Sequence, residues 1–317
     1  MKVPCGREDI ARLFENCISK DKLAQAYILS APQGMGKKTV LNYILSLMLC
    51  KDHTSCGECL SCKSLEAGAH PDVVHLTREA DKATLGVGRV RDIKNEVYTR
   101  PAMADYKAVV VYEAHLATIE AQNAMLKMIE EPPEKVVFFL LCDTMAPILP
   151  TIVSRAIVLN IKPLPAEALK EITGADDFQI SICDGNVGRL KELTEDTGYS
   201  RVRDEVIDAF ASLTSEDPYA PYAVASRFDK LKENKEDVFD IILSFARDAY
   251  CKKKNIDSCI INKDKMNYIN AFASKAKEDA LWRIMNLIVT TRKEKGKNGN
   301  FNIAVTILLL KCRRELR

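Results

Sequence analysis

The chain has 317 residues, 47% hydrophobic and 28% charged, with 46 Lys+Arg against 44 Asp+Glu for a formal net charge of +2. That length suits two or three domains, each able to bury a core, and the charge balance excludes a uniformly basic nucleic-acid coat and an acidic disordered chain. The longest plain apolar run, 136–142, lies between Lys135 and Asp143 and is far shorter than the about 20 residues of a membrane helix, and the N-terminus lacks the apolar stretch of a secretory signal. The expected setting is the reducing cytoplasm, with no membrane partner.

Strand-like and helix-like segments alternate through the first half. Ala26–Ser30 reads as a short apolar strand, followed by a Gly-rich turn and a helix over 37–50. Val73–Leu76 is a second strand, 90–98 a helix, and the β-branched run 108–112 a fully buried strand. Thr118 can cap a helix over 119–131, whose Ala121, Met125, Met128 and Ile129 share one face until Pro132-Pro133 ends it. Strands over 136–141 and 156–161 complete a pattern that predicts a parallel sheet covered by helices.

The pattern changes at Pro163 and Pro165, beyond which only helices are expected. Val238, Ile241, Ile242, Phe245 and Ala249 form one apolar stripe; Leu281, Ile284, Met285 and Ile288 form another, with Trp282 read as core beside it. A second boundary falls in the polar stretch 196–200. The expected division is 1–161 for the α/β domain, 162–200 for a small helical domain and 201–317 for an all-α domain. The segment 303–310 is more apolar than one helix face requires and is expected to be buried among neighbouring helices.

Ala31-Pro32-Gln33-Gly34-Met35-Gly36-Lys37-Lys38-Thr39 follows a strand and opens a helix, the setting of a phosphate-binding loop. Glycines let backbone N–H groups turn inward and Lys37 reaches for phosphate. Compared with G-x-x-x-x-G-K-[ST], Ala31 replaces the first glycine and Lys38 replaces the hydroxyl that ligates Mg2+. The strand 109–111 then leads into Tyr112-Glu113, with Tyr112 where a magnesium-binding Asp is usual and Glu113 retained. Both protein handles on Mg2+ are gone, so hydrolysis is expected to be severely impaired. The loop and Lys37 can still hold ATP or ADP. A plain Gly-rich turn is the bland alternative.

Cys50, Cys56, Cys59 and Cys62 form the most specific chemical signal. Four thiolates at this spacing suit a structural, tetrahedral Zn2+ site with no open position. His53 is an alternative to Cys50, and a regulatory dithiol is the other reading of the cluster. The remaining seven cysteines read as small buried hydrophobes.

These motifs together resemble the bacterial clamp-loader AAA+ family of DNA polymerase III, in its delta prime type. The resemblance rests on Leu23-Ala24-Gln25-Ala26-Tyr27-Ile28-Leu29 before the loop, the cysteine module with His70-Pro71-Asp72, and Glu113-Ala114-His115. It continues through Ala121-Gln122-Asn123-Ala124-Met125-Leu126-Lys127, Glu130-Glu131-Pro132-Pro133, and Leu149-Pro150-Thr151-Ile152-Val153-Ser154-Arg155-Ala156. It is dense over 6–161 and thin beyond, where Gly185-Asn186-Val187-Gly188-Arg189 is similar to the family's lid segment and 302–317 to its last helix.

The resemblance implies an AAA+ fold, RecA-like with a zinc module, followed by a helical lid and an all-α oligomerising collar. It implies a degenerate nucleotide site using Gly34, Gly36, Lys37, Thr39, Glu113 and Thr144, the last where the family's first nucleotide sensor lies. It further implies that Arg155 acts in trans as an arginine finger on the ATP of a neighbouring gamma/tau subunit. The implied partners are gamma/tau, delta, the sliding clamp and, through the assembly, primed DNA. Two other readings stay open: an active gamma/tau-like ATPase using Thr39, and a zinc-dependent nucleic-acid-binding protein using Lys252-Lys253-Lys254 and 293–297.

Overall fold

The computed structural model describes residues 2–175, 177–195, 198–231, 235–295 and 301–317. The boundary residues 196 and 197 and the end of the basic run 293–297 lie outside the described residues. Two compact units emerge: Met1–Gly174 with Asp184–Arg189, and Ala175–Cys183 with Leu190–Arg317.

The first unit contains, in chain order, α1 (Glu8–Ser19), β1 (Ala26–Ser30), α2 (Lys37–Leu49), α3 (Leu60–Glu66), β2 (Val73–Leu76), α4 (Val87–Asp92), α5 (Lys94–Val97), β3 (Lys107–Val111), α6 (Ile119–Glu130), β4 (Val136–Cys142), α7 (Pro150–Val153), β5 (Ile157–Asn160) and α8 (Ala166–Thr173). The five strands form one parallel sheet in the order β2-β3-β4-β1-β5. The helix expected over 90–98 is two short helices that begin earlier, at Val87.

Strand β4 is buried along its whole length because both faces of the sheet are covered. Val137, Phe139 and Leu141 enter one layer with Phe14, Tyr27 and Ile44. Val136, Phe138, Leu140 and Cys142 enter the other with Ile28, Met125 and Ile129. This is the helix-covered parallel sheet expected from the alternating sequence pattern. The strand order reverses beside β1, so the C-terminal ends of β1 and β4 open onto the crevice where such sheets bind ligands.

The described helices beyond residue 175 are α9 (Asp177–Ile182), α10 (Val187–Glu195), α11 (Tyr199–Ala211), α12 (Ala220–Lys230), α13 (Lys235–Lys253), α14 (Met266–Lys275), α15 (Glu278–Lys295) and α16 (Phe301–Leu316), with no strand among the described residues. The first expected stripe is buried throughout and the second is buried except for the half-buried Met285, and Phe210, Phe245 and Phe272 meet ring to ring at centroid distances of 5.3–6.2 Å. Trp282 corrects its core reading: it is 57% exposed, its ring 6.3 Å from that of Tyr250. It follows Leu281 by one residue, about 100° around the helix, and so leaves the buried stripe. Within 303–310, Val305, Leu308 and Leu309 are buried while Ile303, Ile307 and Leu310 form an exposed stripe. No described helix is long and apolar enough to cross a membrane.

Candidate functional site

The end of β1 pairs with the end of β4, Ser30 opposite Cys142, and the loop starts there with Ala31 N–H donating to the Cys142 carbonyl. Gly34 and Gly36 both take left-handed backbone, φ 82° and 84°, and Gly36 caps α2 so that Lys37 stands in its first turn. The loop therefore has the phosphate-binding shape, yet its groups are already engaged. Lys37 Nζ donates to the carbonyls of Ala31 (2.5 Å) and Pro32 (2.9 Å) and to Asp143 Oδ1 at 2.7 Å. His115 Nε2 lies 3.7 Å from the other Asp143 oxygen.

The loop is also covered. Asn186 donates through Nδ2 to the Gln33 carbonyl at 2.8 Å, and Gly188 N–H donates to the Gly34 carbonyl at 2.8 Å. A Cβ on Gly34 would collide with the Asn186 amide, and one on Gly188 would collide with the Gly34 backbone. Arg7, buried and with its pKa lowered by that burial, reaches the Met35 carbonyl at 3.5 Å.

At the two positions that usually hold magnesium, the Lys38 ammonium lies 5.6 Å from the centroid of the Tyr112 ring. The Tyr112 hydroxyl meets His75 Nδ1 at 3.1 Å, and burial raises the phenol's pKa. A cation and a neutral phenol thus stand where two oxygen ligands would. Glu113, left-handed at φ 48°, turns to an ion pair with Arg78 Nε at 3.0 Å. Thr39 is exposed, and exposed Thr144 accepts the Ala146 N–H at 3.4 Å, while its neighbour Asp143 is the residue that meets Lys37.

The four cysteines converge. Helix α2 stops at Leu49, so Cys50 takes extended backbone (ψ 138°) and turns its thiol toward the knuckle. Cys59 caps α3 and accepts the Cys62 N–H, while Cys56 Sγ accepts the Cys59 N–H, both at 3.4 Å. The four sulfurs all lie within 4.8 Å of one another, with Cys50–Cys56 at 3.6 Å and Cys56–Cys62 at 3.9 Å. A ZnS4 tetrahedron with bonds of about 2.3 Å has edges of about 3.8 Å, so this donor set fits that ion. Burial opposes ionisation of Cys50, but N–H groups of Cys56, Asp52 and Thr54 outweigh it and bring the thiol down to about 6. Burial pushes Cys62 up to about 12, helped by the neighbouring sulfurs. His53 faces elsewhere, Nδ1 at 3.1 Å from the Leu47 carbonyl and Nε2 at 3.5 Å from Asp105. Of the other cysteines only Cys142, Cys183 and Cys312 are buried, so that expectation fails for Cys5, Cys17, Cys251 and Cys259.

Arg155 lies between α7 and edge strand β5. Its guanidinium pairs with Glu130 of α6 at 2.9 Å and donates to the Thr151 carbonyl at 3.1 Å, yet stays 43% exposed.

The family described as DNA polymerase III, delta subunit, matches residues 6–165, about half of the chain and the whole α/β sheet. The chain belongs to this family. The family's C-terminal part, described as DNA polymerase III, delta subunit, C terminal, matches residues 200–314. The DNA polymerase III subunit delta' of Bacillus subtilis (strain 168) is 23% identical over 92% of this chain and 91% of its own length. Its counterpart in Escherichia coli (strain K12) is 35% identical over 45% of this chain and 43% of its own length. The subunit tau of Bacillus subtilis (strain 168) is 30% identical over 55% of this chain, which spans only 32% of that relative. The chain is thus a delta prime-like clamp-loader subunit, as its motifs led us to expect.

Within this family member, four site contacts were missed from the sequence: Arg7, Asp143, Asn186 and Glu130. Asp143 carried a signal, a charged residue closing an apolar strand next to β1. Arg7 and Glu130 carried none, because each acts through a partner 25 or more positions away.

Proposed function

We propose that this chain is the non-hydrolysing, arginine-donating subunit of a DNA polymerase III clamp loader, with a structural zinc module. The observation that carries the reading is the state of the nucleotide loop: Lys37 is tied to Asp143 while Lys38 and Tyr112 stand at the metal-ligand positions. A phosphate entering this loop would have to displace Asp143 from Lys37 and Asn186 from the loop backbone, with no magnesium to offset the cost.

Chemistry then falls to a neighbour. Arg155 sits beside an edge strand, and Glu130 orients its guanidinium without burying it. In a gamma/tau site the freed Nη groups would face the transferring phosphoryl oxygens and stabilise their charge, an effect worth about 10³–10⁵ in rate. Bound zinc would supply rigidity only, since four thiolates close its shell. The exposed Ile303, Ile307 and Leu310 stripe on α16 suits packing against other subunits in a collar. The parts 1–161, 162–200 and 201–317 are read as AAA+ domain, lid and collar. Delta, gamma/tau, sliding clamp and primed DNA are the proposed partners, in the cytoplasm.

The test is ATP turnover by gamma/tau reconstituted with this chain, delta, clamp and primed DNA, comparing wild type with Arg155→Ala after equal assembly is verified. A large loss supports the reading. Unchanged turnover would leave Arg155 a surface ion pair and return attention to the chain's own loop.

A further inference from the structure

Behind the cysteine cluster runs a buried line of hydrogen bonds whose direction is set at both ends. Asp72 N–H donates to His70 Nδ1 at 3.0 Å, so that nitrogen is an acceptor and the proton resides on Nε2. Nε2 lies 2.7 Å from Ser61 Oγ, which must accept, and Ser61 in turn donates to the Leu49 carbonyl at 2.5 Å. Every link is buried: Ser61 is 6% exposed, His70 4% and Asp72 0%.

The two ends of this line have different anchors. Asp72 accepts N–H groups from Ala102, Met103 and Ala104 at 2.5–2.8 Å, and its carbonyl accepts from Ala108 of β3, so it is fixed to the sheet. The other end grips the metal knuckle twice, since Leu49 precedes Cys50 and Ser61 precedes Cys62. Those are the two buried thiols of the four. The bond from Ser61 to Leu49 sets the distance between the backbones that carry them, and His70 holds Ser61 in that rotamer.

We infer that Ser61 and His70 are positioning residues that hold Cys50 and Cys62 at metal-binding separation before the ion arrives. The inference rests on the zinc reading above. Partners of this kind, one bond removed from the ion, typically change metal affinity 10–100-fold.

The experiment is a zinc titration of the full chain against a chromophoric chelator, with Co2+ spectra reporting ligand geometry and thermal melts with and without zinc. Ser61→Ala and His70→Gln are each expected to weaken zinc about 10–100-fold and shrink the zinc-dependent rise in melting temperature. Ser61→Thr, which keeps the hydroxyl, should restore affinity. Ser64→Ala, an exposed hydroxyl on the same helix, should change nothing. A role in general packing alone would lower both melts equally and leave zinc affinity unmoved, which would overturn the inference while the zinc reading stands. Absence of zinc binding by the wild-type chain would overturn both. If Ser61→Ala does not fold, His70→Gln carries the comparison.

Discussion

The ammonium of Lys37 lies 2.7 Å from Oδ1 of Asp143, although 106 residues separate them in the chain. Parallel pairing of β1 with β4 makes the two strand ends neighbours, so the loop that leaves β1 brings Lys37 to Asp143, the first residue after β4. The loop's phosphate-seeking charge is thereby neutralised from within.

From this pair we expect the purified chain to show no ATP turnover above background, with Lys37→Ala indistinguishable from wild type. Asp143→Asn frees Lys37 and removes a negative charge from the crevice. Titration with a fluorescent ATP analogue should then show about fivefold tighter binding, the worth of roughly 1 kcal/mol for a partly exposed pair. Vigorous turnover abolished by Lys37→Ala would contradict the proposed role.

Arg155→Ala is expected to leave the chain's own denaturation midpoint nearly unchanged, within about 0.5 kcal/mol, because its pair with Glu130 is exposed on both sides. In the reconstituted loader the same change should lower turnover by about a thousandfold or more, and Arg155→Lys should not restore it. Urea denaturation beside the turnover assay separates a lost finger from a lost fold.

Metal removal should act locally. A chelator strong enough to strip zinc is expected to lower the melting temperature and loosen residues 50–66, read by hydrogen exchange, while amides of β1, β3 and β4 stay protected. Cys50→Ser and Cys62→Ser should each reduce bound zinc to trace levels by elemental analysis, and His53→Ala should retain it. Retention by Cys50→Ser would show that Cys50 is dispensable.

In the second unit, Arg203 donates to Asn262 and to both oxygens of Asp264 at 2.6–3.3 Å and stacks 3.8 Å from the centroid of the Phe178 ring. Asn262 is tied further to the fully buried Asp248. Arg203→Ala should cost about 1.5–3 kcal/mol in urea denaturation, since it leaves the buried Asn262 side-chain carbonyl without its charged donor and breaks the pair with the more exposed Asp264.

The Arg203 hydrogen bonds hold the Asp264 carboxyl below its ordinary range. A folded-state pKa below the unfolded value of about 3.9 makes the pair's contribution complete above that value. The contribution disappears as pH falls through the folded pKa. Stability measured against pH should therefore fall less steeply below about pH 4 in Asp264→Asn than in wild type.

The cysteine knuckle and the altered phosphate loop were legible in the sequence because both are local. Spacing along a few residues already says which thiols can meet, and Lys38 and Tyr112 declare themselves by standing at motif positions. The alternation of strands and helices likewise announced the covered parallel sheet, since a strand buried on both faces, such as 136–142, has to be apolar throughout.

What the tertiary structure alone decided are the contacts made across sheet order and between helix ends. Asp143 on Lys37, Asn186 on the loop, Glu130 on Arg155 and His70 on Ser61 join residues 9 to 153 positions apart. The convergence of Cys50, rather than His53, on the other three thiols belongs with them, for α2 ends one residue before Cys50 while His53 turns to Leu47 and Asp105. Trp282 and the α16 stripe show the same limit from the other side. Hydrophobicity sets the wish to be buried, but the angular position on the helix and the number of neighbouring helices determine which side chains reach the core.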